Sequence, residues 1–256
     1  EWADGPVTID CNGTDFEYIA DIADIGTQLN LLDCNVDGSR VKPRVIVVEP
    51  DFLTDISSIA ACFKAHGHHY LEYTVGRMQP RVNNYATLLG NFAGGALDEI
   101  ACNRTGYDFA DIMRHNFREK ATEYCSCNNF DAARFKNDAA TQVGNIRKAA
   151  EMLSNEYDMG QVTTEPSFIC EQLGIQGRID LMTTDMRLLV EQKSGRNMSI
   201  ERQQANVFGS MQTESHYVQL LLYYGVLRYN FKLSGDSTDI RLLYSKYPPE
   251  RGLLAV

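Results

Sequence analysis

The chain lacks what would mark it as secreted, membrane-spanning or a general coat for nucleic acid. No apolar run approaches the ~18 residues that a membrane-spanning helix requires. The start, EWADGPVTID, has neither a basic stretch nor an apolar core, so no signal peptide is visible. It also lacks an initiator Met, and whether it is a fragment is left open by the sequence. There are seven cysteines, an odd number with scattered spacing. They read as reduced thiols of a cytoplasmic protein. Cys125 and Cys127 form C-x-C, not the C-x-x-C of zinc sites, and read as plain thiols. There is no basic excess: the net charge is −10. Residues 161–256 hold ten residues of each sign, so the acidic surplus lies wholly in residues 1–160. That balance argues against non-specific coating of nucleic acid. It leaves room for an enzyme that grips nucleic acid in a local groove through metal ions.

What is present fits a folded chain. Its 256 residues, 44% hydrophobic and 23% charged, exclude a disordered or collagen-like chain and allow one large or two small domains. Val45–Val48 reads as a strand ended by Glu49-Pro50, and Asp55–Phe63 as a short helix. His66, His68 and His69 read as surface histidines rather than a metal tract. Residues 84–157 read as helical, with Leu88, Leu89, Phe92, Ala96, Leu97 and Ile100 at helical spacing. Gly94-Gly95 is costly inside a helix, which points to a close approach there.

The period changes after Gly160. Glu165–Cys170, Gly174–Met182 and Arg187–Gln192 read as three strands, the last two joined by a turn at 183–185. Ser210–Tyr229 reads as a helix, with Val218, Leu221, Leu222 and Val226 apolar, and Ile240–Tyr244 as a further strand. The order gives a mixed α/β or α+β core. The division expected is a 1–83 extension with short strands and a helix, then an 84–256 core that includes the helical segment 84–157.

The segment GIQGRIDLMTTDMRLLVEQKSG, residues 174–195, carries the chemistry. Asp180 lies in the first strand of a hairpin, and Glu191 and Lys193 end the second. Residues two apart on a strand share a face, so Glu191 and Lys193 project together with Gln192 opposite. Two carboxylates and one lysine converge on one sheet edge. Lys193 neutralises only one carboxylate, and a buried charge is costly unless paired or metal-bound. Mg²⁺ or Mn²⁺ resolves the conflict, because hard cations take oxygen ligands.

Asp180 followed by Glu191-Gln192-Lys193 in hydrophobic strands resembles the PD-(D/E)XK nuclease superfamily. Gly177-Arg178-Ile179-Asp180 resembles the G-x-x-D motif of its RecB-like exonuclease branch. Gln219-Leu220-Leu221-Leu222-Tyr223 resembles that branch's Q-x-x-x-Y helix. The nuclease domains of replication helicase–nucleases are the most similar group, over roughly residues 85–232. The resemblance implies a restriction-endonuclease-like core, with a mostly antiparallel-to-mixed central sheet flanked by helices and a helical N-terminal part. It implies metal held by Asp180, Glu191 and the backbone carbonyl of Gln192, with Lys193 serving the attacking water. Gln219 and Tyr223 are implied to line the path of a DNA strand. The branch often carries G-x-x-x-H on an upstream helix. Here Gly90-Asn91-Phe92-Ala93-Gly94 fills that place with Gly94 at the His position, and Asp98 or Glu99 is the candidate ligand instead. Glu165 resembles the acidic residue before the G-x-x-D strand. With no cysteine after Cys170, no 4Fe–4S cluster is expected within the chain.

The expected activity is therefore an Mg²⁺- or Mn²⁺-dependent deoxyribonuclease of DNA repair, replication or recombination. It would act exonuclease-like on single-stranded or end-containing DNA, without a membrane partner. A helicase portion beyond the C-terminus is consistent with the same resemblance. The alternative is a catalytically inactive nucleic-acid-binding or scaffold module on a decayed nuclease fold.

Overall fold

The computed structural model describes residues 5–12, 16–65, 67–80, 82–102, 108–206, 209–233 and 238–256. They form a mixed α+β protein that divides into two compact units. One comprises residues 1–56 and 168–177, the other residues 57–167 and 178–256.

The first unit is built from short strands. Leu29–Leu32 and Val45–Val48 pair antiparallel, and Thr8–Ile9, Arg40–Lys42 and Asn35–Asp37 form a small sheet. Thr54 and Asp55 pair in parallel with Ile175 and Gln176. Gly174 takes the left-handed conformation that glycine tolerates, at φ 62°, against the Val47 side chain.

The second unit holds the site. Its sheet has five strands: β1 (Val162–Thr164), β2 (Leu181–Thr183), β3 (Leu188–Lys193), β4 (Asp239–Tyr244) and β5 (Leu253–Ala255). Their spatial order is β5-β4-β3-β2-β1, with β3 and β4 parallel and the other pairs antiparallel. The parallel pair needs a crossover, which the helix α4 (Glu214–Phe231) supplies.

Among the helices that precede the sheet are α1 (Tyr85–Ala101), α2 (Phe109–Glu119) and α3 (Ala132–Ser154). Each starts where a side chain caps it. Asn84, Asp108 and Asp131 accept the N–H of Thr87, Asp111 and Arg134 respectively, all at 2.9 Å. Ala93 and Ala96 on α1 and Ala139 on α3 are fully buried, and their small size lets the two helices pack closely. Phe92, Phe135, Val143 and Ile146 complete that layer, with Leu181, Leu188, Val190 and Leu243 beneath it from the sheet. At ~1.5–3 kcal/mol per large buried apolar side chain, this layer is the main stabilising block of the unit.

The segment 174–182, expected as one strand, is two. Ile175–Arg178 ends before Asp180, and β2 begins after it. The Asp180 side chain takes the Gln192 N–H at 2.6 Å, so the β2–β3 ladder ends at Leu181. The helix over 214–231 also buries a different face from the one its leucines suggested. Gln219, Leu220, Tyr223, Val226 and Leu227 are buried, while Leu221 is exposed.

Candidate active site

Two strands and one helix assemble the centre of the site. Leu181 lies opposite Val190, and one further step of that antiparallel register sets Asp180 opposite Glu191. Alternation along β3 turns Glu191 and Lys193 toward α4 and Gln192 toward α3. Lys193 Nζ donates to Glu191 Oε1 at 2.7 Å and to Gln219 Oε1 at 3.0 Å. Gln219 Nε2 donates to the same Glu191 oxygen at 2.7 Å. Three side chains thus close a triangle around one carboxylate oxygen. The other oxygen, Oε2, has no hydrogen-bond partner among the described residues, although Glu191 is only 3% exposed.

Burial raises the pKa of Asp180, against the pull of the Gln192 N–H and of Lys193. Burial also raises Glu191, and the neighbouring Asp180 charge pushes it further in the same direction. Both shifts say that two carboxylates here are held at a cost in the absence of further positive charge.

These groups open on a cavity of about 630 Å³ between the sheet edge, α1 and α2. Asp98 lines it, with its pKa pushed up to about 7, first by burial and then by Glu165 and Asp180. Glu99 also lines it, but on the α2 side, where His115 Nε2 stands 3.8 Å away. The two α1 candidates therefore separate, and Asp98 is the one whose charge is felt with those of Asp180 and Glu165. Glu165 donates its N–H to the Asp180 carbonyl at 3.0 Å, and its side chain pairs with Arg178 at 2.9 Å. Its backbone is left-handed, at φ 50°, immediately before Pro166. A non-glycine residue in that region is strained, and such strain gathers at functional sites.

Gln219 and Tyr223, expected along a strand path, do not line the cavity. They are 6% and 3% exposed. The Tyr223 hydroxyl donates to the Arg178 carbonyl at 2.7 Å and accepts from Gln219 Nε2 at 3.2 Å. Together they brace the Glu191–Lys193 pair from behind. Gly94 lines the cavity, and a Cβ there would meet nothing within 4 Å. The close approach on α1 falls instead at Gly90, where a Cβ would lie 3.2 Å from Ser194 Oγ.

One set of supporting residues had no sequence signal. Gln192 Nε2 donates to Ser245 Oγ at 2.6 Å, and Ser245 Oγ donates to Gln142 Oε1 at 2.5 Å. Gln142 Nε2 donates to the Ser194 carbonyl at 3.3 Å, and Asn145 Nδ2 to the Ser245 carbonyl at 2.9 Å. The network joins α3 to the ends of β3 and β4, and so fixes the backbone on either side of Lys193. His115, Asn116 and Lys120 also line the cavity, from α2 and just beyond it. Their sequence spacing resembles any polar helix face.

His68, His69, Cys125 and Cys127 are not among the residues that line the cavity. His68 pairs with Glu214 at 2.6 Å, His69 stacks on Tyr70, and His66 lies outside the described residues. Cys125 and Cys127 are free thiols. Among the described residues, no group of three or more His, Cys, Asp and Glu side chains is arranged to hold a metal ion. No helix among them is long and apolar enough to cross a membrane. Compared with known proteins, the chain matches no family model and no curated protein.

Proposed function

We propose that the chain is a divalent-metal-dependent deoxyribonuclease with a restriction-endonuclease-like core, of the RecB-like PD-(D/E)XK type. Its substrate is single-stranded or end-containing DNA, a preference that rests on the branch resemblance. The observation that carries the reading is Glu191 Oε2, a buried carboxylate oxygen with no hydrogen-bond partner among the described residues, on a cavity shared with Asp180. A buried carboxylate oxygen without a donor is expensive unless a cation or a proton completes it.

The residues fit Mg²⁺ or Mn²⁺. Asp180, Glu191 and the Gln192 carbonyl offer oxygen only, and Asp98 is the neighbouring carboxylate. Mg²⁺ is usually held by one or two carboxylates, with waters and substrate phosphates making up the rest. A closed cluster of protein ligands is therefore not required of this site. Oxygen donors without His or Cys favour Mg²⁺ or Mn²⁺ over Zn²⁺. When bound, the cation supplies neutralising charge at the phosphodiester and a more acidic attacking water.

The chain's own residues do the positioning. Gln219 holds both Glu191 Oε1 and Lys193 Nζ, so the ammonium keeps one orientation. From there Lys193 can donate to the attacking water or to charge developing on the phosphate. Gln192 anchors the strand from the opposite face through Ser245.

The test is degradation of end-labelled single-stranded and duplex DNA with Mg²⁺, Mn²⁺ or EDTA. Cleavage that depends on the cation and stops on chelation is expected; cleavage that survives full chelation sinks the reading. The open space at Gly94 favours a second reading, a non-catalytic nucleic-acid-binding or scaffold module. It predicts DNA binding with no cleavage under either cation.

A further inference from the structure

The cavity's charges do not balance in a simple way. Arg178 is engaged by Glu165, and Lys193 by Glu191. Lys120 lines the same cavity, yet its ammonium makes no ion pair or hydrogen bond among the described residues. Four positions earlier, Asn116 lines the cavity too and is only 6% exposed. Its Oδ1 accepts the Tyr124 hydroxyl at 2.6 Å. The Nδ2 end lies over Gly95, 3.6 Å from where a Cβ would sit, and makes no hydrogen bond among the described residues. Residues four apart share a helix face. The amide donor of a buried residue and an ammonium without an ion pair thus line one space.

We propose that Asn116 and Lys120 form a phosphate subsite. It takes a phosphodiester group of the bound strand other than the one being cleaved. The proposal rests on the nuclease reading and names a second hold on the same substrate. Both groups donate and neither accepts through the atoms concerned, which selects an anion. A charge-assisted hydrogen bond from Lys120 and a neutral one from Asn116 suit a non-bridging phosphate oxygen. The acidic walls around them would repel a strand that had no such hold. Lys120 joins α2 to the helix Ala121–Cys125, a structural role in which the two helix dipoles act on it with opposite sign. That role alone would show in melting temperature and not in binding.

The experiment is a coupling measurement on the whole chain. Lys120→Gln and the wild type are compared for binding of a fluorescent oligothymidylate in Ca²⁺, and for cleavage in Mg²⁺. Single neutral methylphosphonate linkages are scanned along the oligonucleotide. Lys120→Gln is expected to weaken binding about tenfold and to lower the salt dependence by about 0.7 in the log–log slope, one phosphate's worth on a single strand. It should raise KM while kcat stays within about twofold. One linkage away from the cleaved bond should weaken wild-type binding and leave the variant indifferent. Asn116→Asp keeps the acceptor for Tyr124 but puts a carboxylate oxygen where the donor was, and should weaken binding at the same linkage. Equal affinity of Lys120→Gln and wild type, or no linkage at which the two differ, overturns the subsite. Cleavage without such coupling leaves the nuclease reading intact, whereas coupling without cleavage removes that reading and keeps the subsite. No binding by the wild type overturns both.

Discussion

The two sides of strand β3 carry buried polar groups of opposite character. On the α3 side, Gln192, Ser245, Gln142 and Asn145 are neutral and joined by hydrogen bonds, and none has a fully buried side-chain atom without a partner among the described residues. On the α4 side, Glu191, Lys193 and Gln219 share one carboxylate oxygen and leave the other without one. A closed neutral network positions the backbone at modest cost. A half-satisfied charged one is a standing cost that folding alone does not explain. One strand therefore separates the neutral support from the candidate centre by side-chain parity.

The sharpest way to break that comparison is to neutralise each side in turn. Glu191→Gln keeps an acceptor for Lys193 and Gln219 but removes the charge. Cleavage should fall at least about a thousandfold, while the melting temperature of the metal-free protein stays the same or rises. Ser245→Ala should do the reverse, costing ~2 kcal/mol of stability by orphaning Gln142 and Gln192. Its activity per folded molecule should fall far less than that of Glu191→Gln. Cleavage assays paired with thermal melts check both. Retained cleavage in Glu191→Gln would remove the functional meaning of the open oxygen.

Much of this was legible in the sequence, for identifiable reasons. Period-two patterning gave β3 and the shared face of Glu191 and Lys193, because strand alternation is a property of the backbone. Apolar spacing gave the helical stretch 84–157 in which α1 and α3 lie. The break at Asp180 was not legible, because it depends on a side chain capturing the Gln192 N–H across the hairpin. Nor was the buried face of α4. VQLLLYYGVL is apolar all round, so periodicity could not choose a face, and tertiary polar contacts put Gln219 and Tyr223 inward. The Ser245–Gln142 link spans 103 residues and has no local signature.

Metal and pH should sharpen the comparison by a smaller effect. The carboxyls of Asp98 and Glu191 are raised, Asp98 to about 7, mainly by burial. A carboxyl whose folded pKa exceeds its unfolded value favours the protonated folded state. Its stabilising contribution is complete below the unfolded value, near ~4, and is lost as pH rises through the folded one. The metal-free protein should therefore melt several degrees lower at pH 8 than at pH 5.5. Mn²⁺ should recover more of that loss at pH 8 than at pH 5.5, because it needs the ionised carboxylates. Calorimetry at the two pH values, with and without Mn²⁺, reads this directly. In Glu191→Gln the metal-dependent gain should shrink. In Ser245→Ala it should persist on a lower baseline. Equal melting temperatures across that pH range would remove the charge strain from the α4 side.

The smallest effect concerns the brace behind the charged side. Tyr223→Phe keeps the ring and its packing but deletes the hydroxyl. That hydroxyl donates to the Arg178 carbonyl and receives Gln219 Nε2. Gln219 Nε2 also holds Glu191 Oε1, so the amide keeps its main partner when the hydroxyl goes. The Arg178 carbonyl loses a buried donor, which costs ~1 kcal/mol. The melting temperature should fall by about 2–4 °C for a unit of this size. Single-strand affinity per folded molecule should not change, because the ring is 3% exposed and offers no face to a base. Had Tyr223 stacked on a base, as a strand-lining role requires, Tyr223→Phe would preserve binding and Tyr223→Ala would lose ~1–3 kcal/mol of it. The pair separates the cases. A brace gives two destabilised proteins of unaltered affinity, Tyr223→Ala more so than Tyr223→Phe. A stacking platform gives one normal protein and one that is stable but binds poorly. Melting curves and fluorescence anisotropy on the same preparations decide between them. The second outcome would mean that α4 turns its Gln219–Tyr223 face to the strand when DNA binds.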